Sequence, residues 1–254
     1  MTDGRHQAHA SSFDTVADAY DRARPSYPDA LFEAVERLAG RPLRGADVLD
    51  VGAGTGIATR LLQARGARVV AVEPSVQMAA RLRESSPGTP VVKAVGDELP
   101  FHDASADLIS YAQAFHWTDP DRSIPEAIRV LRPGGALVLF WNLKDRSVPW
   151  LAEQERRHAA ALPSYHYYGV MNAVTEPLSR HPLRVAGARL RWERTITVDE
   201  VICDLRSKSY FAVAEPELRE SVLADDRAWL MGLFPDGRVT EPYTVDLTVA
   251  VKEA

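Results

Sequence analysis

The stretch Val48-Leu-Asp-Val-Gly-Ala-Gly-Thr-Gly56 constrains this chain more than any other. Branched apolar residues surround one acid, Asp50, and glycines then stand at positions 52, 54 and 56. An apolar run of this length reads as a strand covered on both faces, as a parallel sheet requires. Glycines at alternate positions allow a turn so tight that a ligand can lie against the backbone itself. Ile57, Leu61 and Leu62 recur at helical spacing, so the turn leads from a strand into a helix N-terminus. Strand, tight turn and helix in this order begin a doubly wound α/β sheet, and such sheets hold ligands at the carboxyl ends of their strands.

The spacing narrows the ligand. A dinucleotide fingerprint reads Gly-x-Gly-x-x-Gly, whereas this loop reads Gly-x-Gly-x-Gly, and no Gly-Lys-Ser/Thr follows to cradle a phosphate. Asp50, a carboxylate just before the loop, suits a ligand with positive charge. The run Val69-Val-Ala-Val72 ends in Glu73, placed to accept hydrogen bonds from ribose hydroxyls, and the run Val91 to Val95 leads to Asp97. Three successive strands ending in carboxylates fit a cationic nucleoside with a free ribose and an exocyclic amine. S-adenosylmethionine has those features.

With these motifs the chain resembles a class I S-adenosylmethionine-dependent methyltransferase. The resemblance is carried by the glycine loop, Glu73-Pro74-Ser75 with Met78, Asp97-Glu98-Leu99-Pro100-Phe101, Ala112-Gln-Ala-Phe-His-Trp117, and Val130-Leu-Arg-Pro-Gly-Gly135 before a strand over Ala136 to Trp141. It covers Phe13 to Trp141 well and the remainder in outline. It implies a Rossmann-like, doubly wound seven-stranded sheet of order 3-2-1-4-5-7-6, the last strand antiparallel, with a helical cap. It implies that S-adenosylmethionine, with S-adenosylhomocysteine as product, contacts Tyr20, Arg24, Asp50, Gly52, Ala53, Gly54, Thr55, Gly56, Glu73, Pro74, Met78, Asp97, Glu98, Gln113, Ala114 and Phe115. Residues 1–40 then form an N-terminal lid and packing helix, and Arg24 is suited to pair with the cofactor's carboxylate. Residues 41–254 form the methyltransferase domain, with 142–188 as a substrate-covering insert.

The loop after the fourth strand bears on the acceptor. Amino-group methyltransferases of the nucleic-acid and glutamine type carry Asn/Asp-Pro-Pro-Tyr/Phe there. The form in this chain resembles a small-molecule (type 11) branch that includes trans-aconitate-type carboxyl methyltransferases. The expected reaction is in-line displacement of the methyl group onto a small-molecule acceptor, with oxygen favoured. Trp117, Trp141, Tyr165 and Tyr168 are assigned to the substrate pocket, although the aromatics of the insert suit cap packing equally. His116 is either a base, since its pKa lies near working pH, or a structural residue bonding backbone. Met78 is either core or cofactor contact.

Local signals set further expectations. Ser75 caps a helix, Thr197-Val-Asp-Glu200 is a capping box, and Pro216 opens a helix with Leu218, Val222 and Leu230 inward. A helix starts at Ile124 or Pro125 with Ser123 as cap. Pro149, Pro163, Pro177 and Pro182 break up the insert, Lys93 falls inside the third strand, and Arg194 interrupts the alternation of the sixth.

A net charge of −5 argues against nucleic acid or an anionic membrane as partner. A single cysteine, Cys203, fits a reducing cytoplasm. No run approaches the ~20 apolar residues of a membrane span, no signal peptide is visible, and the histidines show no metal-ligand spacing. A cytoplasmic monomer or homodimer without metal is expected. The rivals are a nicotinamide-dependent oxidoreductase and an S-adenosylmethionine-binding protein with a regulatory or cyclase role.

Overall fold

The computed structural model describes residues 24–165 and 172–253. Tyr20, Tyr168 and the greater part of the expected lid lie outside the described residues. The chain runs α1 (Asp29–Ala39), β1 (Asp47–Val51), α2 (Ile57–Ala64), β2 (Arg68–Val72), α3 (Val76–Ser85), β3 (Val91–Val92) and β4 (Ala106–Ala112). It continues with α4 (Pro120–Val130), β5 (Leu131–Lys144), α5 (Pro149–Ala161), α6 (Asn172–Ser179), β6 (Leu183–Thr197), α7 (Val198–Arg206), α8 (Ser209–Ala212), α9 (Pro216–Leu233) and β7 (Arg238–Lys252).

The strands form one seven-stranded sheet of order β3-β2-β1-β4-β5-β7-β6, as the resemblance implies. Strands β1 to β5 pair in parallel. Strand β7 runs against β5: Asp145, just past the end of β5, donates its N–H to Pro242 near the start of β7, while Lys252 at the end of β7 donates to the carbonyls of Ile128 and Leu131. The parallel strands are buried along their length because helices must cover both faces of such a sheet; Val48, Val51, Ala71, Val72, Leu108, Ile109, Leu137 and Leu139 are all at most 2% exposed.

The described residues divide into two compact units. A sheet unit takes in residues 26–142, 172–190 and 245–253; a helical unit takes in 24–25, 143–165 and 191–244. The helical unit has its own apolar core, in which Val201 and Leu205 of α7, Phe211 of α8, Leu223 and Leu230 of α9, and Val239 meet. The capping box at its edge forms as the sequence predicts: Thr197 Oγ1 accepts from the Glu200 N–H, and Glu200 Oε2 accepts from the Thr197 N–H.

Several expectations are corrected. Strand β3 ends at Val92, so Lys93 is an exposed residue of the following turn and escapes burial. Helix α4 begins one turn earlier than expected, because Asp119 caps it through the Asp121 N–H and Pro120 fills its first position; Pro125 sits inside the helix, and Ser123 is buried with its hydroxyl on Thr118. In the insert, Pro149 starts a helix of 13 residues and Pro177 lies within α6, so these prolines do not break it up. Leu218 is 38% exposed, because it lies off the inward face formed by Leu223, Asp226 and Leu230 of α9. Arg194 does not interrupt β6: it keeps the inward register and meets carboxylates there.

Candidate cofactor site

The parallel register brings the carboxyl ends of β1, β2 and β4 side by side, with Val51 opposite Val72 and Asp50 opposite Ser110. The glycine loop therefore turns directly beside Glu73 and the segment after Ala112. Gly52, Gly54 and Gly56 have φ of 68°, 57° and 85°, in the left-handed region that L side chains resist. The reasons for glycine differ. A Cβ at Gly52 would stand 2.5 Å from the Ala114 Cβ, so this residue lets the loop after β4 close on the loop after β1. A Cβ at Gly54 would meet nothing within 4 Å among the described residues, so this backbone faces open space and can be approached by a ligand.

Glu73 ties the loop to β2. Its Oε2 accepts from the Gly54 N–H and its Oε1 from the Ser75 N–H, both at 2.8 Å. The carboxylate is 6% exposed. The N–H groups of Gly52 and Ala53 are taken by the Val72 carbonyl at 2.8 and 3.2 Å. Ser75 caps α3 through the Met78 N–H, and Met78 itself is buried at 4% exposure.

Asp50 behaves otherwise than the sequence suggests. It is fully buried, with Oδ2 accepting from Thr59 Oγ1 at 2.6 Å and Oδ1 from Ser110 Oγ at 2.9 Å. Burial pushes its carboxyl up to about 6 against the pull of those two hydroxyls. It faces Thr59 of α2 and Ser110 of β4, so it braces the elements under the loop and does not present a charge to a ligand. Neither hydroxyl was singled out in the sequence, where both read as ordinary positions in buried elements.

Asp97 sits in the turn after β3, where Oδ1 accepts from the Asp119 N–H at 3.0 Å and joins this turn to the start of α4. Glu98 and Pro74 are exposed, Ala53 is half-buried, and Thr55 is buried. Gln113 has φ of 58°, one of two described non-glycine residues with positive φ; its N–H bonds the Phe140 carbonyl, and its side chain the Asn142 carbonyl. Strain of this kind clusters at functional loops. Ala114 and Phe115 are buried beside it.

His116 is exposed, and the Trp141 indole donates to its Nδ1 at 3.3 Å. An indole N–H only donates, so Nδ1 holds the lone pair and the neutral ring carries its proton on Nε2. In this arrangement the Nδ1 lone pair is engaged by the indole and does not serve as a base. Trp141 is buried, and the Trp117 ring lies 4.6 Å from that of His116.

The remaining predicted residues lie in the helical unit. Arg24 Nη2 donates to the Ser207 carbonyl and Nε lies 3.9 Å from Asp204, a different carboxylate from the one foreseen for it. Tyr165 packs edge-on against Tyr210. A cleft of about 570 Å³ lies at the opposite, amino ends of the strands, beside Asp47, Arg68 and Ala106. The Asp47 carboxylate there is already paired with Arg68 and Arg132, so the cleft offers no convergent chemistry.

A methyltransferase-domain family model matches residues 49–139, the glycine loop through β5. The chain is 37% identical over 217 residues to an uncharacterized methyltransferase of Mycobacterium bovis, covering 84% of this chain and 82% of that one. It is 29% identical over 188 residues, 70% of each chain, to a malonyl-[acyl-carrier protein] O-methyltransferase of Pectobacterium atrosepticum. A solved structure from Anaeromyxobacter dehalogenans, described as a type II methyltransferase, superposes with a TM-score of 0.68 at 26% identity, covering 91% of this chain and 97% of the other. Likeness over most of both chains, joined to a glycine edge built for close approach of a ligand, shows that the protein belongs to the class I S-adenosylmethionine-dependent methyltransferases.

Proposed function

We propose that the chain methylates an oxygen of a small-molecule acceptor, with the cofactor held along the carboxyl edge of β1, β2 and β4. The observation that carries this reading is the open face of Gly54 beside the Glu73 carboxylate. S-adenosylmethionine supplies a methyl group already activated on a sulfonium, so in-line displacement asks the protein mainly for alignment and exclusion of water. The glycine loop gives backbone approach, Glu73 accepts from ribose hydroxyls, and Asp97 accepts from the adenine amine. Gln113, Ala114 and Phe115 shape the wall after β4, and Asp50 keeps the loop in place from beneath.

Oxygen is supported by the segment Ala112 to Trp117, which lacks the amino-group motif. It is compatible also with His116, whose Nδ1 accepts from Trp141, because an ionised carboxylate needs no base. The name of the Pectobacterium relative, an O-methyltransferase, agrees. Residues 1–40 as lid and 142–188 as cover over the acceptor are part of the proposal, as are a monomeric or homodimeric state, a cytoplasmic setting and no nucleic-acid partner. Among the described residues no helix is long and apolar enough to cross a membrane.

The test is transfer of a radiolabelled methyl group with a panel of small carboxylic acids and phenols. Acceptor-dependent release of S-adenosylhomocysteine, with label that base hydrolysis frees as methanol, is the result expected for a carboxyl acceptor. Ether-linked label on a phenol also supports oxygen. Label found on nitrogen or carbon would overturn the oxygen reading.

A further inference from the structure

The segment from residue 93 to residue 105, between β3 and β4, carries Asp97 in turns and one isolated bridge, Val95 to Glu98. Backbone without a helix or a ladder must find its hydrogen-bond partners elsewhere. At the tip, Gly96 lies close against β4: a Cβ there would stand 2.6 Å from the Tyr111 hydroxyl. Beside it, Asp97 accepts from the Asp119 N–H at the start of α4. At the exit, α4 supplies the partners from its side chains. Glu126 Oε2 accepts from the Leu99 N–H at 2.9 Å. Arg129 donates from Nη2 to the Leu99 carbonyl at 2.9 Å and from Nη1 to the Phe101 carbonyl at 2.8 Å. Leu99, two residues beyond Asp97, is thereby fixed at both its N–H and its carbonyl.

The two side chains are fixed on each other as well. Arg129 Nε and Nη2 meet Glu126 Oε1 and Oε2, each at 2.9 Å, as a bidentate pair across one turn of α4. The second Nη1 hydrogen goes to Asp103 Oδ1 at 2.8 Å. A guanidinium has five N–H donors, and these bonds use all of them. An ammonium carries its three donors on one nitrogen and cannot span the same partners. The guanidinium also holds the Glu126 carboxyl below the usual carboxylate range, so the pair stays charged in mild acid. Burial of the Leu99 side chain draws the segment inward but leaves the rotation of its peptide planes open. The pair fixes those planes, and with them the direction in which the preceding turn presents Asp97.

We infer that Glu126 and Arg129 are positioning residues for the cofactor's base: they hold the Asp97 carboxylate in line for the exocyclic amine and so set a preference for adenine. The inference rests on the assignment of that amine to Asp97 above. Neither residue is placed against the ligand; both act through the backbone of Leu99 and Phe101.

Calorimetric titration of the full chain with S-adenosylhomocysteine and with its inosine counterpart, in which an oxo group replaces the amine, tests the role. The intact protein should prefer the adenine form about 50-fold. Arg129→Lys keeps a charge opposite Glu126 but loses the span to the two carbonyls. It should cut the preference to about fivefold, by weakening the adenine form and leaving the inosine form as it was. Glu126→Ala, which frees the Leu99 N–H, should act in the same direction. A residue that only stabilises the fold would weaken both ligands alike or lower Tm alone, and either result in both variants overturns the positioning role. Full preference retained in Arg129→Lys and Glu126→Ala also overturns it and leaves the Asp97 assignment standing. Equal binding of the two forms by the intact protein, or full preference in Asp97→Asn, removes the Asp97 assignment and the positioning role with it.

Discussion

The glycine edge of the sheet unit and the charged cluster of the helical unit solve opposite problems. At the edge, the acids are tied into the fold: Asp50 accepts from two hydroxyls, and Glu73 from two backbone N–H groups. What is left open is backbone, at Gly54. In the charged cluster side chains meet one another: Glu241 lies beside Lys144 and Arg194, and Asp204 beside Lys208. The difference teaches that the glycine edge is shaped by main chain and a few fixed acids, whereas the cluster is built from side chains drawn from several elements.

The largest expected effect separates two glycines a residue apart. Gly54→Ala should fold, because its methyl meets nothing and the left-handed backbone costs only about 1–2 kcal/mol. Its cofactor affinity should fall roughly 100-fold, because the methyl fills space the ligand needs. Gly52→Ala should instead lower Tm, since its methyl collides with Ala114 at 2.5 Å. Calorimetry beside thermal melts reads both, and equal behaviour of the two variants would break the distinction between an open and a packed glycine.

Glu73→Gln should cost about tenfold in cofactor affinity, by loss of a charged acceptor from the ribose and a weakened bond to Gly54. The two regions should then show opposite pH dependence in stability. Folded Lys208 gives up its proton near 7, against an ordinary value of 10.5, so between these the unfolded chain holds more protons and stability rises with pH. Folded Asp50 holds its proton up to about 6 against an ordinary 3.8, so stability falls as pH climbs through that window. Denaturant titrations across pH should show the first slope vanish in Lys208→Gln and the second in Asp50→Asn. The smallest effect belongs to Thr197→Ala, which removes an exposed cap and should cost about 1 kcal/mol without touching affinity.

The same contrast explains what the sequence disclosed. The glycine loop was legible because a left-handed turn between a buried strand and a helix leaves a contiguous signature, and the strand order followed from the family resemblance that this and the later motifs carry. Local caps such as Ser75 and the Thr197–Glu200 box were legible for the same reason. Asp50 was visible as a residue but not as a brace, since Thr59 and Ser110 come from separate elements. The cluster left only oblique marks: Arg194 within an alternating strand, and Asp204 on the apolar face of α7 beside Val201 and Leu205. A charged residue on an apolar stripe says that something is buried with it but does not name the partner. The early start of α4 was missed because Ser123 before Ile124 mimics a cap, while Asp119-Pro120 caps the helix a turn earlier.

The most direct test is calorimetric titration of the full chain with S-adenosylmethionine, beside Gly54→Ala. The account predicts an affinity on the order of micromolar, reduced roughly 100-fold in the folded variant. Absence of binding by the intact protein, or equal affinity in Gly54→Ala, would contradict the placement of the cofactor on the glycine edge.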